Sequence, residues 1–450
     1  MLNERTTPGA PPAPAAPAAP AGPPLRVVYD ISSLGLGHAD RVHRTGIFRV
    51  VERLAQELLA MDECEVAFSA LHSAEFFAHT ANYLAASAVL PGQRLARTQP
   101  GLGLVRRLVN AHAARAGGPG APVTTKAYRR GLLHGRQAME AVLNAVAPAR
   151  APEADVFHSP RFALPAPART GAAARFMTVH DLIPILVPET VSPAATREMR
   201  AILASLRPED WVFAVSERTR QDLCEYRPDL DPARIIVTYW AADPAVFHPV
   251  EDPAALDRVR ARYGIGGAPY LLSLNTLDPR KNMDRAVRAF ARMAAQERIS
   301  DLCFVLVGSR GTNVDLLGRM AREAGISPAR VVLTGYVPDE DLAALYSGAL
   351  AFVYPSLYEG FGLPPLEAMQ CGVPVIASNT SSLPEVVGDA GILVHPTDED
   401  ALGGAMLHVY RDGAQRERMR ERSLARAAGF SWARCARHTV DGYRAAMAAR

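Results

Sequence analysis

Several signals that would place a protein in a membrane, outside the cell or on nucleic acid are missing from this sequence. Its 450 residues contain no apolar run of about 18 or more residues, so no segment is expected to cross a bilayer. The five cysteines lie far apart without a C-x-x-C pair, which indicates reduced thiols in a cytoplasmic protein. A formal net charge of +3 is too small, over this length, to indicate a nucleic-acid partner.

The signatures of several enzyme classes are missing as well. The sequence has no H-E-x-x-H and no G-x-S-x-G, which leaves metalloprotease and serine-hydrolase functions without support. Three D-x-D spellings do occur, at residues 229–231, 339–341 and 398–400. Each lies in a turn before a helix or strand, where aspartates commonly cap helices. We therefore expect capping at these positions and predict no metal site.

What is present is the composition of a globular protein, with 49% hydrophobic and 21% charged residues. Residues 1–24 form a Pro/Ala-rich tail that is expected to be disordered. Short β-like runs then alternate with helical stretches. These runs cover residues 26–30, 64–70, 154–159, 174–179, 211–216 and 234–239. Such alternation predicts a parallel sheet with helices on its faces.

A second series of strands follows the Pro-rich stretch ADPAVFHPVEDP and a linker over residues 249–268. Its β-like runs cover residues 270–276, 302–308, 330–335, 350–356 and 373–378. The fold class is therefore predicted to be α/β, with two doubly wound domains over 25–248 and 269–428. The segment at about 72–150 breaks the rhythm of the first domain and is predicted to be a mostly helical insertion.

The stretch YPSLYEGFGLPPLEAMQCGVPVIAS, residues 354–378, places two glutamates eight positions apart. An apolar run ahead of it is typical of a buried strand, and Pro364 and Pro365 suit the first turn of a helix. Glu359 then lies in the turn beyond the strand, and Glu367 lies about one helical turn into the helix. Both can face the crevice at the carboxyl edge of a parallel sheet, where ligands bind.

Two cations are predicted at the same edge. In LNTLDPRKNMDRAVRAF, residues 274–290, a turn follows a strand and precedes an amphipathic helix, and this turn carries Arg280 and Lys281. A guanidinium, an ammonium and the backbone N–H groups of a helix start together suit a diphosphate. The alternative is a solvated basic turn.

The acids and glycines of residues 359–367 suit a different part of the same ligand. Glu359 and Glu367 would repel a phosphate, but each can accept hydrogen bonds from a vicinal diol. The turn between them offers backbone amides at Gly360 and Gly362. Acids for sugar hydroxyls and cations for a diphosphate describe a sugar nucleotide. The alternative is a pair of surface acids around a proline-rich turn.

These segments resemble glycosyltransferase family 4. The likeness rests on EGFGLPPLEAMQCGVPVIAS, GYVPDEDLAALYSGALAFVYPS, SSLPEVVGDAGILVHPTDEDAL, DPRKN, VHDLIPI, SERTRQDL and the closing FSWARCARHTVDGYRAAM, and it covers most of residues 174–447. Members are retaining, nucleotide-sugar-dependent enzymes of the GT-B fold. The resemblance therefore implies two Rossmann-like domains that face a central cleft, with the acceptor on the N-terminal side. It also implies that a C-terminal helix, residues 429–450, crosses back to the N-terminal domain.

The resemblance assigns roles by position. Glu359 resembles the acid that contacts the donor sugar, and Glu367 resembles the acid that holds the ribose diol. Arg280 and Lys281 resemble the pair that grips the diphosphate. His180 resembles the histidine that lines the sugar pocket from the opposite domain.

Further donor-binding positions are implied by the glycine turn and by the first loop. Gly360, Phe361 and Gly362 form the turn. Near the N-terminus the likeness is weaker, because DISSLGLGHADRVHRTGIFRV is longer than the family's glycine-rich first loop. Gly46 is the nearest equivalent of the glycine in that loop. Arg49, three residues later, is a further candidate for donor binding. GLGHAD lacks the third glycine of a dinucleotide fingerprint, so NAD is not predicted as a cofactor.

The residue types favour front-face attack for a retaining transfer. Double displacement would need a carboxylate nucleophile beside the anomeric carbon, and neither glutamate is obviously free for that role. In front-face attack, Arg280 and Lys281 stabilise the charge that develops on the leaving diphosphate, and a leaving phosphate oxygen accepts the acceptor's proton. Neither a metal nor another cofactor is expected.

The expected reaction moves a hexose from a nucleotide-diphosphate sugar to a saccharide or lipid-linked acceptor, in the synthesis of a bacterial surface polysaccharide. Family context favours GDP-mannose, and a UDP-sugar is also compatible. Three alternatives on the same scaffold stay open: a sugar-nucleotide epimerase, a phosphorylase and a non-catalytic sugar-nucleotide-binding protein.

The insertion carries a local excess of positive charge. Between Gly101 and Arg150 the single acid is Glu140. The eight basic residues are Arg106, Arg107, Arg115, Lys126, Arg129, Arg130, Arg136 and Arg150. This bias predicts peripheral contact with an anionic membrane, which would bring a cytoplasmic enzyme to a lipid-linked acceptor. A solvated helical face and a lid over the acceptor groove are the alternatives.

Overall fold

The computed structural model describes most of the chain. The described residues are 23–39, 46–96, 102–114, 134–135, 149–171, 173–274, 278–308, 319, 322–323 and 325–450. The tail predicted over 1–24 lies outside these ranges up to residue 22, and so does much of the basic insertion. Of the eight basic residues between Gly101 and Arg150, Arg106, Arg107 and Arg150 are described.

The first domain contains a six-stranded sheet in which neighbouring strands pair in parallel. Its strands are β1 (Leu25–Asp30), β2 (Cys64–Ser69), β3 (Val156–Ser159), β4 (Ala174–Val179), β5 (Trp211–Ala214) and β6 (Ile235–Val237). Their order across the sheet is β2-β1-β3-β4-β5-β6. Every residue of β4 is buried, including Arg175, whose guanidinium lies 3.0 Å from the Asp210 carboxylate. A strand covered on both faces needs such a nearly continuous apolar sequence.

The second domain contains another parallel sheet of six strands. Its strands are β7 (Tyr270–Leu274), β8 (Cys303–Val307), β9 (Val331–Gly335), β10 (Ala351–Tyr354), β11 (Val375–Ser378) and β12 (Ile392–Val394). Their order is β12-β11-β10-β7-β8-β9. The sequence pattern did not predict β12, because three residues are too few for a periodic signal.

Helices connect the strands of both sheets. Those of the first domain are α1 (Ser32–Ala39), α2 (Gly46–Leu59), α3 (Ala74–Ala86), α4 (Leu102–Ala114), α5 (Pro167–Thr170), α6 (Ile183–Leu186), α7 (Pro193–Ala204) and α8 (Glu217–Tyr226). Those that follow are α9 (Pro253–Arg262), α10 (Met283–Gln296), α11 (Asp339–Ser347), α12 (Leu363–Gln370), α13 (Leu383–Val387), α14 (Glu399–Arg411), α15 (Gly413–Ala427) and α16 (Trp432–Ala448). Among the residues that the structure describes, no helix has both the length and the apolar character needed to cross a membrane.

The hydrophobic core lies on both faces of each sheet. Val27 and Val28 are adjacent in β1 and both buried, yet they belong to different apolar clusters. Leu271 and Leu272, adjacent in β7, also belong to different apolar clusters. This follows from the alternation of side chains along a strand. One of the clusters contains residues of both domains, so the two sheets share a continuous apolar layer.

Helix α1 lies in the segment that the sequence pattern indicated as a long first loop. Its glycines and serines give it little helical propensity, so packing must stabilise it. It packs closely against α3: a Cβ atom on Gly35 would lie 2.3 Å from the Oγ1 of Thr80. The helix is therefore a product of tertiary contact, which local periodicity does not reveal.

Helix α16 returns to the first sheet after the second domain is complete. The Tyr443 hydroxyl lies 2.7 Å from Nδ1 of the buried His158 at the end of β3. A Cβ atom on Gly442 would lie 2.6 Å from the ring of Phe213 in β5, so the helix backbone approaches the sheet closely. The first domain thus holds both its own strands and the last helix of the chain.

Each sheet reverses its strand order at one point. In the second sheet the chain runs outward from β7 to β8 and β9, then returns to β10 on the other side of β7. In the first sheet β1 leads to β2, and β3 lies on the other side of β1. Ligands of such sheets bind outside the carboxyl ends of the strands at the reversal. The turns after β1, β3, β7 and β10 therefore border the ligand crevices of this fold.

Candidate functional site

The turn after β7 carries the two predicted cations. The carboxylate of Asp278 accepts a hydrogen bond from the backbone N–H of Arg280 at 2.9 Å and so caps a short 3₁₀ turn, Pro279–Lys281. Asn282 ends this turn in the left-handed conformation, with φ of 61°. Its side-chain amide donates to the carbonyl of Pro355, just beyond β10, at 3.0 Å. The cap and the amide contact fix both cations against the neighbouring strand end.

Glu359 joins the two cations in one cluster. Its Oε1 atom lies 2.6 Å from Nζ of Lys281 and 2.9 Å from Nη1 of Arg280. The Tyr354 hydroxyl donates to the same oxygen at 3.0 Å and accepts from the Lys281 ammonium at 2.8 Å. Residues from the two strands at the reversal of the second sheet therefore form a cluster of two cations and one carboxylate, with one net positive charge.

The charges in this cluster depend on one another. Burial alone would raise the pKa of Glu359, but Lys281 and Arg280 outweigh it and lower that pKa to about 2. Burial lowers the pKa of Lys281, and the Glu359 carboxylate opposes that shift. Removal of the Glu359 charge would leave two buried cations without the carboxylate that they share, which is costly. Glu359 is therefore an ionised group near neutral pH.

The glycine turn between β10 and α12 contacts the first domain. A Cβ atom on Gly360 would lie 2.1 Å from the carbonyl oxygen of His180, so only glycine fits here in this arrangement. The Gly360 carbonyl accepts hydrogen bonds from the hydroxyls of Ser216 at 2.7 Å and Thr219 at 3.1 Å. Both hydroxyls belong to the start of α8. The turn that carries Glu359 is thus a contact between the domains.

The other two positions of the predicted donor turn shape it from within. Phe361 is 2% exposed, and its ring packs against Trp240 at 5.6 Å between ring centroids and against Phe430 at 6.0 Å. Gly362 precedes α12 with φ of 115°, a conformation that other residues rarely adopt. The Phe361 side chain therefore supports the turn from the shared core.

Glu367 lies apart from the cationic cluster, in the second turn of α12. It is 8% exposed, and the Tyr346 hydroxyl donates to its Oε2 atom at 3.1 Å. Burial raises the pKa of Glu367 to about 7, although the Arg49 cation opposes the shift. Near neutral pH, Glu359 is therefore ionised, whereas Glu367 is only partly ionised.

Helix α2 of the first domain begins opposite α12. A Cβ atom on Gly46 would lie 3.5 Å from Cδ1 of Leu363, the first residue of α12. Arg49, one turn along α2, forms an ion pair with Asp339 at the start of α11. Gly46 and Arg49 therefore lie on the side of the interface that also holds Glu367.

His180 lies at the carboxyl end of β4, and its backbone carbonyl approaches Gly360 of the glycine turn. Its Nε2 atom lies 2.6 Å from the carbonyl oxygen of Pro160, so Nε2 carries the proton and Nδ1 is an acceptor. Nδ1 is buried without a hydrogen-bond partner among the described residues. Burial, with a further contribution from the Arg161 cation, lowers the pKa of His180 to about 3. Its ring is therefore neutral near pH 7, and it packs on Trp240 at 5.3 Å between ring centroids.

Arg161 is a cation beside His180 that the sequence patterns did not predict. It follows β3, at the reversal of the first sheet, and its guanidinium lies over the ring of Phe162 at 5.6 Å. Burial lowers its pKa, and the carboxylates of Glu198 and Asp181 oppose that shift from a distance. It forms no ion pair with any residue in the described ranges. Its position directly after the third strand, in HSPRF, was the available signal.

Lysine usage is a second signal of this site in the sequence. The whole sequence contains two lysines, Lys126 and Lys281, whereas arginine is abundant. The ammonium of Lys281 fits between the Tyr354 hydroxyl and Glu359, within 2.8 Å of both oxygens. A guanidinium is larger and planar and cannot replace a compact ammonium there. The rare lysine therefore marks the site.

The predicted capping role holds for some aspartates and is wrong for others. Asp231 and Asp398 cap the helical turns that follow them with their carboxylates. Asp339 and Asp341 instead lie inside the first turn of α11, because a proline occupies the cap position, and Asp339 binds Arg49. Within the described ranges, no group of three or more His, Cys, Asp or Glu residues is placed to hold a metal ion.

Comparison with known sequences identifies the class of this protein. The family described as "Glycosyl transferases group 1" matches residues 257–426. O-antigen chain mannosyltransferase B from Escherichia coli is 36% identical over 324 residues, which cover 72% of this chain and 80% of that protein. The serotype-specific mannosyltransferase WbdA from Escherichia coli is 30% identical over 289 residues, 64% of this chain and 35% of that longer protein.

Solved structures show the same architecture. Sucrose-phosphate synthase from Thermosynechococcus elongatus aligns with a TM-score of 0.62 at 20% identity, over 95% of this chain and 100% of that chain. WaaG, a glycosyltransferase involved in lipopolysaccharide biosynthesis, aligns with a TM-score of 0.58 at 14% identity, over 92% of this chain and 98% of that chain. The predicted α/β fold of two Rossmann-like domains, GT-B, is confirmed.

The fold, the cationic cluster at the cleft and these relatives define a glycosyltransferase, and the predicted enzyme class is confirmed. The chain belongs to the glycosyl transferases group 1 family.

Proposed function

We propose that this enzyme is a retaining hexosyltransferase of glycosyltransferase family 4 that transfers mannose from GDP-mannose. Two kinds of relative support this donor. The Escherichia coli relatives are named as an O-antigen chain mannosyltransferase and a serotype-specific mannosyltransferase. A relative from Mycolicibacterium smegmatis, 36% identical over 170 residues, is named as GDP-mannose-dependent. The acceptor is then a saccharide or lipid-linked saccharide in surface polysaccharide synthesis.

The cluster of Glu359, Lys281 and Arg280 is the observation that carries this proposal. Its two cations attract a diphosphate, and its carboxylate accepts hydrogen bonds from sugar hydroxyls through Oε2. His180 faces the same turn from the first domain and offers the neutral acceptor Nδ1. Glu367, farther along the crevice, accepts hydrogen bonds from the ribose diol. In this proposal, one donor molecule contacts all these groups.

The reaction proceeds by front-face attack in this proposal. The bond between the anomeric carbon and the diphosphate oxygen breaks, and both bonding electrons remain on that oxygen. Lys281 and Arg280 stabilise the charge that develops there. The acceptor oxygen forms its bond on the same face of the sugar, and its proton passes to the leaving phosphate oxygen. Configuration is retained, and no metal or other cofactor takes part.

The contacts of Glu359 support front-face attack over double displacement. Its Oε1 atom is held by an ammonium, a guanidinium and the Tyr354 hydroxyl together. Such contacts stabilise the carboxylate and reduce its nucleophilicity, as its low pKa shows. A glutamate in this state is better suited to bind hydroxyls than to form a glycosyl-enzyme bond.

Arg161 suits the acceptor side of the cleft. It lies beside His180 at the reversal of the first sheet and has no carboxylate within ion-pair distance in the described ranges. A half-buried cation that forms no close ion pair is stabilised further by an anionic ligand. A phosphate of a lipid-linked saccharide has the matching charge.

Membrane contact is the remaining part of the proposal. On α4, Leu104 is 50% exposed and Arg107 is exposed, while Val109 packs towards α3. An apolar and a basic side chain on one exposed surface suit an anionic lipid interface. In this proposal, a cytoplasmic enzyme binds peripherally at the inner face of the membrane. Arg129 and Arg130, which belong to the same prediction, lie outside the described residues.

A nucleotide screen followed by product analysis tests the function. Thermal shift assays with GDP, UDP and ADP rank the bases, since a ligand at 100 times its Kd adds about 2.7 kcal/mol to stability. GDP-mannose with a mannose-terminated acceptor should then give an α-linked product by NMR, with EDTA present. Turnover of the donor to a new sugar nucleotide without acceptor would instead indicate an epimerase.

A further inference from the structure

A carboxylate of the second domain caps a helix of the first domain beside the site. Oε2 of Glu385, in α13, accepts the backbone N–H of Glu217 at 2.7 Å. Its Oε1 accepts the backbone N–H of Arg218, also at 2.7 Å. These are the first two N–H groups of α8, which have no partner within their own helix. The contact is therefore a bidentate helix cap supplied by the other domain.

The rest of the helix start is satisfied within the first domain. The Ser216 hydroxyl accepts from the N–H of Thr219 at 3.0 Å, and the Ser216 carbonyl accepts from the N–H of Arg220 at 3.0 Å. Glu385 thus completes a set of four N–H groups, and its negative charge is favoured by the helix dipole. Tyr239 of the first domain donates a third hydrogen bond to the same carboxylate, at 3.2 Å.

The segment that carries Glu385 also holds the backbone of Glu359. The Ser381 hydroxyl accepts from the N–H of Glu359 at 2.9 Å. The Ser382 hydroxyl lies 3.0 Å from the carbonyl of Glu359 and 2.7 Å from that of Phe361, and it donates to them. A shift of this segment would therefore move the backbone of the cationic cluster's carboxylate.

Helix α8 contacts the same turn directly. Besides the hydroxyls that bind the Gly360 carbonyl, Asp222 of α8 accepts a hydrogen bond from the Tyr358 hydroxyl. Arg218 lies 2.5 Å from Asp222 and 3.4 Å from the Tyr358 hydroxyl. The first turns of α8 therefore hold both neighbours of Glu359 in sequence.

We propose that Glu385 is an interdomain latch, a positioning residue that holds the domains closed with the Glu359 turn against the backbone of His180. The latch consists of polar contacts to backbone N–H groups, which water can replace when the domains separate. Opening for substrate entry is therefore reversible. The effect on turnover rests on the proposed glycosyl transfer, whereas the effect on closure does not.

Glu385→Gln tests the latch while keeping the size of the side chain. The amide oxygen can accept one N–H, but the amide NH₂ group must face the other N–H. We expect hydrogen exchange at the amides of Glu217 and Arg218 to become at least about tenfold faster. We expect kcat to fall about tenfold or more, with the Kd for GDP within about threefold of wild type. Glu225→Gln, an exposed change on the same helix, is the matched control.

Glu385→Asp keeps the charge on a shorter side chain and serves as the second variant if the glutamine variant is unstable. It should fall between wild type and Glu385→Gln in both amide exchange and kcat. Unchanged exchange at the two amides, or a kcat for Glu385→Gln within about twofold of wild type, would overturn the latch. If wild type binds no nucleotide, the proposed function fails. Amide exchange alone then decides whether Glu385 holds the domains together.

Discussion

Oε1 of Glu359 lies 2.6 Å from Nζ of Lys281, so the acid assigned to the sugar and a cation assigned to the diphosphate form one ion pair. Their sequence positions follow different strands, β10 and β7, which are neighbours in the second sheet. Each residue therefore sets the charge and position of the other. Substitutions at the two positions should not be additive, because residues in one network are coupled.

Arg280→Ala and Lys281→Ala should each reduce kcat by about two to three orders of magnitude. A donor that acts mainly on transition-state charge contributes roughly 3 to 4 kcal/mol. Steady-state kinetics with a saturating donor measures the effect. Arg292→Ala removes a half-exposed cation that pairs with Glu399 and Asp400 outside the cleft, and it should leave kcat unchanged. Near wild-type activity in both cleft variants would refute the diphosphate assignment.

Lys281→Arg should be almost as damaging as Lys281→Ala, although it conserves the charge. The site accepts an ammonium within 2.8 Å of both the Tyr354 hydroxyl and Glu359, and a guanidinium is too large for it. The measurement is kcat, with Arg292→Lys as the control for an arginine and lysine exchange at an exposed ion pair. Activity within a few-fold of wild type would show that charge alone matters at this position.

Nucleotide binding should strengthen as pH rises towards neutrality, because of Glu367. Burial raises the pKa of its carboxyl to about 7, so the free protein holds a proton there at pH 6. Ribose hydroxyls donate best to the ionised form, so binding lowers this pKa and affinity increases up to about pH 7. Calorimetric titration of GDP at pH 6 and pH 8 measures the difference.

Glu367→Gln provides the control for that pH dependence. It should bind GDP more weakly than wild type at pH 8 and lose most of the difference between the two pH values. Unchanged affinity in the variant would place the ribose elsewhere.

Much of the fold was readable from the sequence, and the reasons are local. Short, mostly apolar runs such as ARFMTV form buried parallel strands, and β4 spans the predicted residues 174–179. β12 and α1 were missed, since one is too short and the other depends on packing of Gly35 against Thr80. Periodicity records which face of a segment is buried, and it does not record contacts between distant segments.

The candidate site was readable to a similar extent. Glycines, prolines and charges at the strand ends pointed to Arg280, Lys281 and Glu359, and the structure brings these three together. The pairing itself, the different charge states of the two glutamates, and the approach of Gly360 to His180 could not be predicted. Each depends on distances between elements far apart in the chain. The roles of these residues in catalysis stay predictions.

Gly360→Ala should reduce kcat strongly by forcing the domains apart. Its Cβ atom would lie 2.1 Å from the backbone oxygen of His180, an atom that cannot move aside as a flexible side chain can. Gly404→Ala is the matched control, because that position in α14 has open space around it. The control should keep its activity and gain about 0.5–1 kcal/mol of helix stability. Steady-state kinetics measures kcat of both variants, and thermal unfolding measures their stability. Full activity in Gly360→Ala would show that closure of the domains is not required.

Arg161→Gln should weaken acceptor binding without affecting the donor. The cation lies beside His180 and lacks an ion-pair partner in the described ranges, so an anionic acceptor is its natural counterion. We expect the KM for a phosphate-bearing acceptor to rise about tenfold or more, as for loss of a charged hydrogen bond. The KM for the donor should stay within about twofold. Arg197→Gln changes an exposed arginine of α7 and is the control.

Two comparisons separate the possible ligands of Arg161. An acceptor without a phosphate should bind wild type and Arg161→Gln equally, because the variant loses only the contact to the anion. Added salt should weaken binding of the phosphate-bearing acceptor more in wild type than in Arg161→Gln. A rise in the KM for the donor, with the KM for the acceptor unchanged, would instead place the nucleotide diphosphate near Arg161. The first domain would then contribute to donor binding, and the acceptor would lie farther from the reversal of its sheet.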